Sequence, residues 1–136
     1  MVDIHLILPA ESLGIFRLSE EAGHLGLPLA GNTNDKNTVF AGSIFSLAAL
    51  SGYDTAYERK AVSGIEGDLF LLSSRIIYHE PGLCDLFAKS VITEDYTSTH
   101  RGNFKMMVQV EVWDGDDHSL CATFEGTYVV RVDSAS

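Results

Sequence analysis

From Phe104 to Trp113 apolar side chains recur at every second position: Phe104, Met106, Val108, Val110 and Val112 fall on one face, Lys105, Met107, Gln109, Glu111 and Trp113 on the other. A period of two is that of a strand with one face on the core. After the turn signal DGDDHS the pattern resumes, with Leu120, Ala122, Phe124, Gly126, Tyr128, Val130 and Val132 opposite Cys121, Thr123, Glu125, Thr127, Val129 and Arg131. The two runs are predicted to pair as a long antiparallel hairpin. Upstream, DLFLLSSRIIYHE and CDLFAKSVI are β-rich runs separated by PGL, HLGLPLA offers a shorter strand, and GIFRLSE another.

One segment has a different period. In NDKNTVFAGSIFSLAALSGY, Asn34 to Tyr53, the apolar positions Val39, Phe40, Ile44, Phe45, Leu47, Ala48 and Leu50 surround most of a helical wheel, and no charge follows Lys36. A helix apolar nearly all round must be covered on most sides. Asn37 or Thr38 is expected to cap its start. Arg59 and Lys60 suit the negative end of its dipole, and Gly64 is placed to stop it. The fold class that follows is α+β: one long central helix wrapped by a curved antiparallel sheet of five or six strands.

Composition narrows the function classes. The 136 residues fit one domain, expected to span the chain apart from the last few residues, DSAS. Nineteen carboxylates against nine Lys and Arg give a net charge of −10, which repels phosphate backbones and anionic lipid, so neither nucleic acid nor membrane is expected as a partner. The first residues lack a basic stretch and a small-residue cleavage site, and a cytoplasmic location is expected. Cys84 and Cys121 have no CxxC spacing, and His5, His24, His79, His100 and His118 are spread singly, so no metal and no cofactor are expected.

The run Asn32, Asn34, Lys36, Thr38, Phe40, Gly42, Ser43, followed by IFSLAALSGY, resembles the N-x-N-x-K-x-T-x-F-x-G-S signature of the thioesterase family typified by the YiiD C-terminal domain. SSRIIYHEP, CDLFAKS and FEGTYVV extend the likeness over roughly residues 7 to 132. The resemblance implies the hot-dog fold, a homodimer or dimer of dimers, and a substrate acyl group carried by coenzyme A or acyl carrier protein. In the related phenylacetyl-CoA thioesterase-like branch the segment reads N-x-x-G-x-x-H-G-G, with an Asp further along the helix. Aligned without gaps, the Asn falls on Asn34, the His on Phe40, the second Gly of the pair on Gly42, and the Asp on Ala49. Two chemically active positions are therefore apolar in this chain.

What survives is the buried helix start. Amides near Gly42 and Ser43 are placed to polarise a thioester carbonyl and stabilise the tetrahedral oxyanion, with Gly42 allowing close approach or, alternatively, tight helix packing. Asn34 can donate to the carbonyl or hold a water, or can serve the turn. Asp35 is the nearest acid able to move a proton, or else an exposed turn residue. Asp54, further along the helix, is rotated by roughly 140° from Ala49, which argues against simple replacement. Phe40 and Ser46 are candidate substrate contacts, although Ser46 can instead bond back one turn. The resemblance implies that Ser73 or Ser74 lines the acyl–pantetheine channel. Arg101 and Lys105, beside His100, form a basic group suited to the phosphates of coenzyme A or an acidic carrier. Hydrolysis of an acyl thioester is the leading expectation. The rivals are a module that binds acyl thioesters without turning them over, favoured by Phe40 and Ala49, and a hot-dog dehydratase, which would want a His and an acid in the site.

Overall fold

The computed structural model describes residues 1–98, 102–115 and 118–131. A 3-10 turn at Ile4–Leu6 and a short helix α1, Leu8–Leu13, precede strands β1 (Phe16–Arg17) and β2 (Leu25–Leu27). The long helix α2 covers Ala41–Ser63, and β3 (Asp68–Tyr78), β4 (Leu86–Thr97), β5 (Phe104–Asp114) and β6 (Leu120–Arg131) follow. All six strands form one antiparallel sheet in the order β1-β2-β4-β5-β6-β3, curved around α2 but not closed. This is the α+β hot-dog arrangement. His100, Arg101 and the C-terminal DSAS lie outside the described residues.

The period-two runs behave as strands for the expected reason. Met106, Val108, Val110 and Val112 of β5 and Ala122, Phe124, Tyr128 and Val130 of β6 are buried beneath α2, while Met107, Gln109, Glu111 and Glu125 face outward. Register shifts at Leu71/Ser73, Ile92/Glu94 and Val112/Trp113 insert extra residues on one strand of each pair. Such bulges bend and twist a sheet, which lets it wrap a helix. β4 runs to Thr97, five residues past the expected end, because its bulge at Thr93 lets pairing with β5 continue in a new register.

Helix α2 contacts β2 through β6. Ile44, Leu47, Ala48, Leu50 and Ala56 are buried, and full burial of a side chain such as Leu47 contributes about 1.5–3 kcal/mol. Gly52 makes room for the strand behind it: a Cβ there would stand 2.4 Å from the Tyr128 hydroxyl. That hydroxyl donates to the Ala49 carbonyl at 2.7 Å, which satisfies the polar end of a buried ring. The helix ends at Gly64 as expected, in the left-handed region at φ 67°, with its N–H on the carbonyls of Lys60 and Ala61. Its start differs from expectation. Phe40, not Asn37 or Thr38, is the capping residue, because Asn37 and Thr38 are consumed by the preceding loop.

Candidate active site

The polar loop before α2 is a self-contained unit. A bridge between Thr33 and Val39 closes it, and the Asn34 N–H donates to the Thr38 carbonyl at 2.8 Å. The Asn34 side-chain oxygen accepts from the amides of Lys36 (2.8 Å) and Thr38 (3.1 Å), while its Nδ2 donates to Thr38 Oγ1 at 2.8 Å. This is an Asx-type turn, in which a side chain imitates the backbone. It leaves one Asn34 amide hydrogen for another acceptor. Asp35 stands at the loop tip, 82 % exposed, with its carboxylate on the neighbouring Lys36 at 3.0 Å.

Asn32 anchors this loop from below. Buried at 3 % exposure, it donates through Nδ2 to the carbonyls of Leu13 and Pro28, and its backbone carbonyl accepts the Phe40 N–H at 2.8 Å. The Val39 N–H is held on the Gly82 carbonyl at 2.9 Å. Chain entry into α2 is therefore fixed from two sides.

A helix start leaves four N–H groups without helical partners. Here the Phe40 amide goes to Asn32, and the Ser43 amide bends to the Phe40 carbonyl at 3.0 Å. The N–H groups of Ala41 and Gly42 have no partner among the described residues, and they sit at the positive end of α2. Gly42 is half-buried, and the three atoms nearest a Cβ built on it all belong to the Phe40 ring, the closest at 2.4 Å. The missing side chain of Gly42 thus seats an aromatic ring that is itself 55 % exposed. Tyr78, the last residue of β3 and absent from the sequence-based candidates, donates its hydroxyl to the Ala41 carbonyl at 3.1 Å. Burial pushes the Tyr78 phenol up from its ordinary value, so it is a neutral donor. A lone Tyr at the end of a strand run carries no sequence signal that it reaches a helix start.

The other candidates are dispersed. Ser43 is buried in the first turn of α2, and Ser46 Oγ donates back to the Gly42 carbonyl at 3.0 Å. Ser73 and Ser74 lie exposed on the edge strand β3, paired with Thr127 and Gly126. Lys105 pairs with Tyr96 and Val129 near the start of β5, at the opposite end of the sheet from Tyr78. A hollow of about 620 Å³, lined by Arg75, Lys89, Gln109, Glu111 and Glu125, lies on the outer face of the sheet, away from the face that α2 covers. Among the described residues no group of three His, Cys, Asp or Glu is arranged for a metal ion, and no helix is long and apolar enough to cross a membrane.

Asp54 has a structural place. It is fully buried, and it accepts from Arg17 (2.8 and 3.1 Å), from the Gly23 N–H (2.7 Å) and from the Val2 N–H (3.0 Å). Burial pushes its carboxyl up, but the Arg17 and backbone donors outweigh this and hold it below the ordinary carboxylate range. It ties the N-terminal segment and the β1–β2 turn to α2, far from the helix start.

Residues 12–132 match the family described as putative thioesterase, the YiiD C-terminal domain. The chain belongs to this family. The putative thioesterase family also accounts for its shape. The chain is similar in structure to the putative thioesterase from Shewanella oneidensis, with 29 % identity, a TM-score of 0.80, and 93 % of this chain and 91 % of that chain covered. It is also similar to a Chlorobaculum tepidum protein of unknown function (17 % identity, TM-score 0.79, coverage 94 % and 89 %). A third likeness is to a Bacillus halodurans protein solved with CoA (18 % identity, TM-score 0.66, coverage 90 % and 75 %). The last two, at low identity, speak for the fold alone. Together the family and the Shewanella structure support a thioester hydrolase in general.

Proposed function

We propose that the protein hydrolyses an acyl thioester of coenzyme A or of an acyl carrier protein, with the substrate carbonyl held at the start of α2. The observation that carries this reading is the pair of unpartnered amides on Ala41 and Gly42 in a member of a thioesterase family. Two adjacent N–H groups on the positive end of a helix stabilise the negative oxygen that develops as water adds to the carbonyl carbon. The remaining Asn34 amide hydrogen serves the carbonyl or the attacking water, and Asp35 is the acid nearest the loop for taking the water's proton. Within one protomer Lys105 lies at the opposite end of the sheet from the start of α2, so the role we propose for it, with Arg101, at the phosphates of the carrier requires the partner copy of the dimer described below. A panel of acyl-CoA and acyl-carrier substrates, scored by release of thiol, tests the reading. Turnover of at least one is expected; its absence across the panel, together with tight binding, favours the non-hydrolytic module. The exposed Phe40 ring in place of a polar side chain is what speaks for that second reading.

The working unit we propose is a homodimer paired through β3. This strand is an open edge eleven residues long, and it exposes Phe70, Leu71, Leu72, Ile77 and Tyr78. A long apolar edge offers unpaired backbone groups to a second copy. Pairing there would bring the partner's strand beside Ser73, Ser74 and the start of α2. Sedimentation at micromolar concentration is expected to show a dimer or a dimer of dimers, and a monomer would refute this assembly.

A further inference from the structure

The carbonyl that Tyr78 contacts and the amide of Gly42 belong to one peptide group. The Ala41 carbonyl carbon is bonded to the Gly42 nitrogen, so the hydroxyl of Tyr78 donates to one end of the peptide whose other end is an unpartnered N–H. A hydrogen bond accepted by a carbonyl polarises its peptide and strengthens the N–H as a donor, by about 10–30 % per bond in condensed phase. It is a second bond on a carbonyl that the helix already uses for its i+4 amide, and it adds restraint to a peptide whose own N–H no preceding turn engages.

We propose that Tyr78 is a positioning residue of this site: through the Ala41–Gly42 peptide it orients and sharpens the N–H that receives the thioester oxygen. The inference deepens the thioesterase reading and rests on it. Three features favour this role over plain packing. Within one chain the Tyr78 ring is half-exposed, 46 % accessible, so it adds little to that chain's own core. Its bond of 3.1 Å is made to backbone at the site, and among the described residues to no side chain. Tyr78 also sits on the last position of the edge strand, so the strand end and the helix start are held together at the point where the carbonyl is received. Because the phenol stays neutral well above pH 7, the donor persists over the range in which hydrolysis would be assayed.

The test is Tyr78→Phe, which removes one oxygen and keeps the ring. Three quantities are compared with the unaltered protein: steady-state kinetics, melting temperature, and the amide proton chemical shift of Gly42. The expected result is a kcat lower by about 3- to 10-fold with KM changed by less than about two-fold, since a supporting bond is worth less than a direct oxyanion donor. The melting temperature should stay within about 2 °C for the loss of one half-exposed bond, and the Gly42 amide proton should move upfield. An unchanged kcat overturns the proposal, and so does a Gly42 shift that does not move. If the unaltered protein hydrolyses no thioester in the panel, the thioesterase reading fails by itself, and the Gly42 shift still decides whether Tyr78 acts on that peptide.

Discussion

Asp54→Ala is expected to destabilise the protein by about 3–5 kcal/mol, because it removes one partner of a buried ion pair and leaves Arg17 and two backbone N–H groups without their acceptor. For a domain of this size that corresponds to a fall in melting temperature on the order of 10 °C or more. The pH dependence has a definite sign. The folded-state pKa of Asp54 lies below its unfolded value, so its contribution is present above about pH 4 and is lost as the pH falls through the folded value. Melting curves of the unaltered protein and of Asp54→Asn should therefore differ most near neutral pH and converge in acid. A constant difference down to the acid limit would show that the charge of Asp54 is not what stabilises the fold. Thioester turnover by the folded variant should be retained, since Asp54 lies away from the start of α2.

Gly42→Val is expected to lower kcat/KM by about 100-fold, the scale of losing one oxyanion donor, while costing little stability. The stability side of this follows from what the glycine faces. The atoms nearest its absent side chain are those of the Phe40 ring, which is more than half exposed and can swing outward. Packing of Gly42 against the sheet would instead predict overpacking, at about 1–3 kcal/mol. The double variant with Phe40→Ala separates the contributions, since neighbours in contact do not behave additively. Any stability cost of the valine should vanish there, while the loss of kcat/KM should persist if the valine obstructs the carbonyl. Recovery of kcat/KM in the double variant would transfer the effect to the displaced Phe40 ring.

Sequence and structure overlap most where one physical pattern dominates. The alternation in β5 and β6 reads directly as a hairpin because β5 buries a single face and β6 chiefly one, with Cys121 and Val129 of its other face buried as well, and the uncharged run reads as a buried helix because sheet covers it from several sides. The stop at Gly64 is local chemistry and was equally legible. The helix start was not. Asn37 and Thr38 carry good capping chemistry, but Asn34 claims Thr38 for its own loop, and the cap passes to Phe40, whose amide is held by Asn32. The short N-terminal turn and α1 left no periodic signal, being too brief to repeat a face. The motif residues themselves were plain in the sequence, whereas their division of labour was not: Asn32 and Asn34 build the loop, and Gly42 seats a ring.

By itself, then, the sequence determined the α+β architecture, the strand runs, the buried helix and the family, because these depend on periodicity and on a motif that is contiguous in the chain. Only the tertiary structure decided which amides at the start of α2 remain unpartnered, that Asp54 is locked by Arg17 and the N-terminal backbone, and that Tyr78 reaches Ala41. The physical reason is sequence separation. Asp54 and Arg17 are 37 residues apart, as are Tyr78 and Ala41, and contacts at that range follow from how the sheet curls around the helix and not from any local preference.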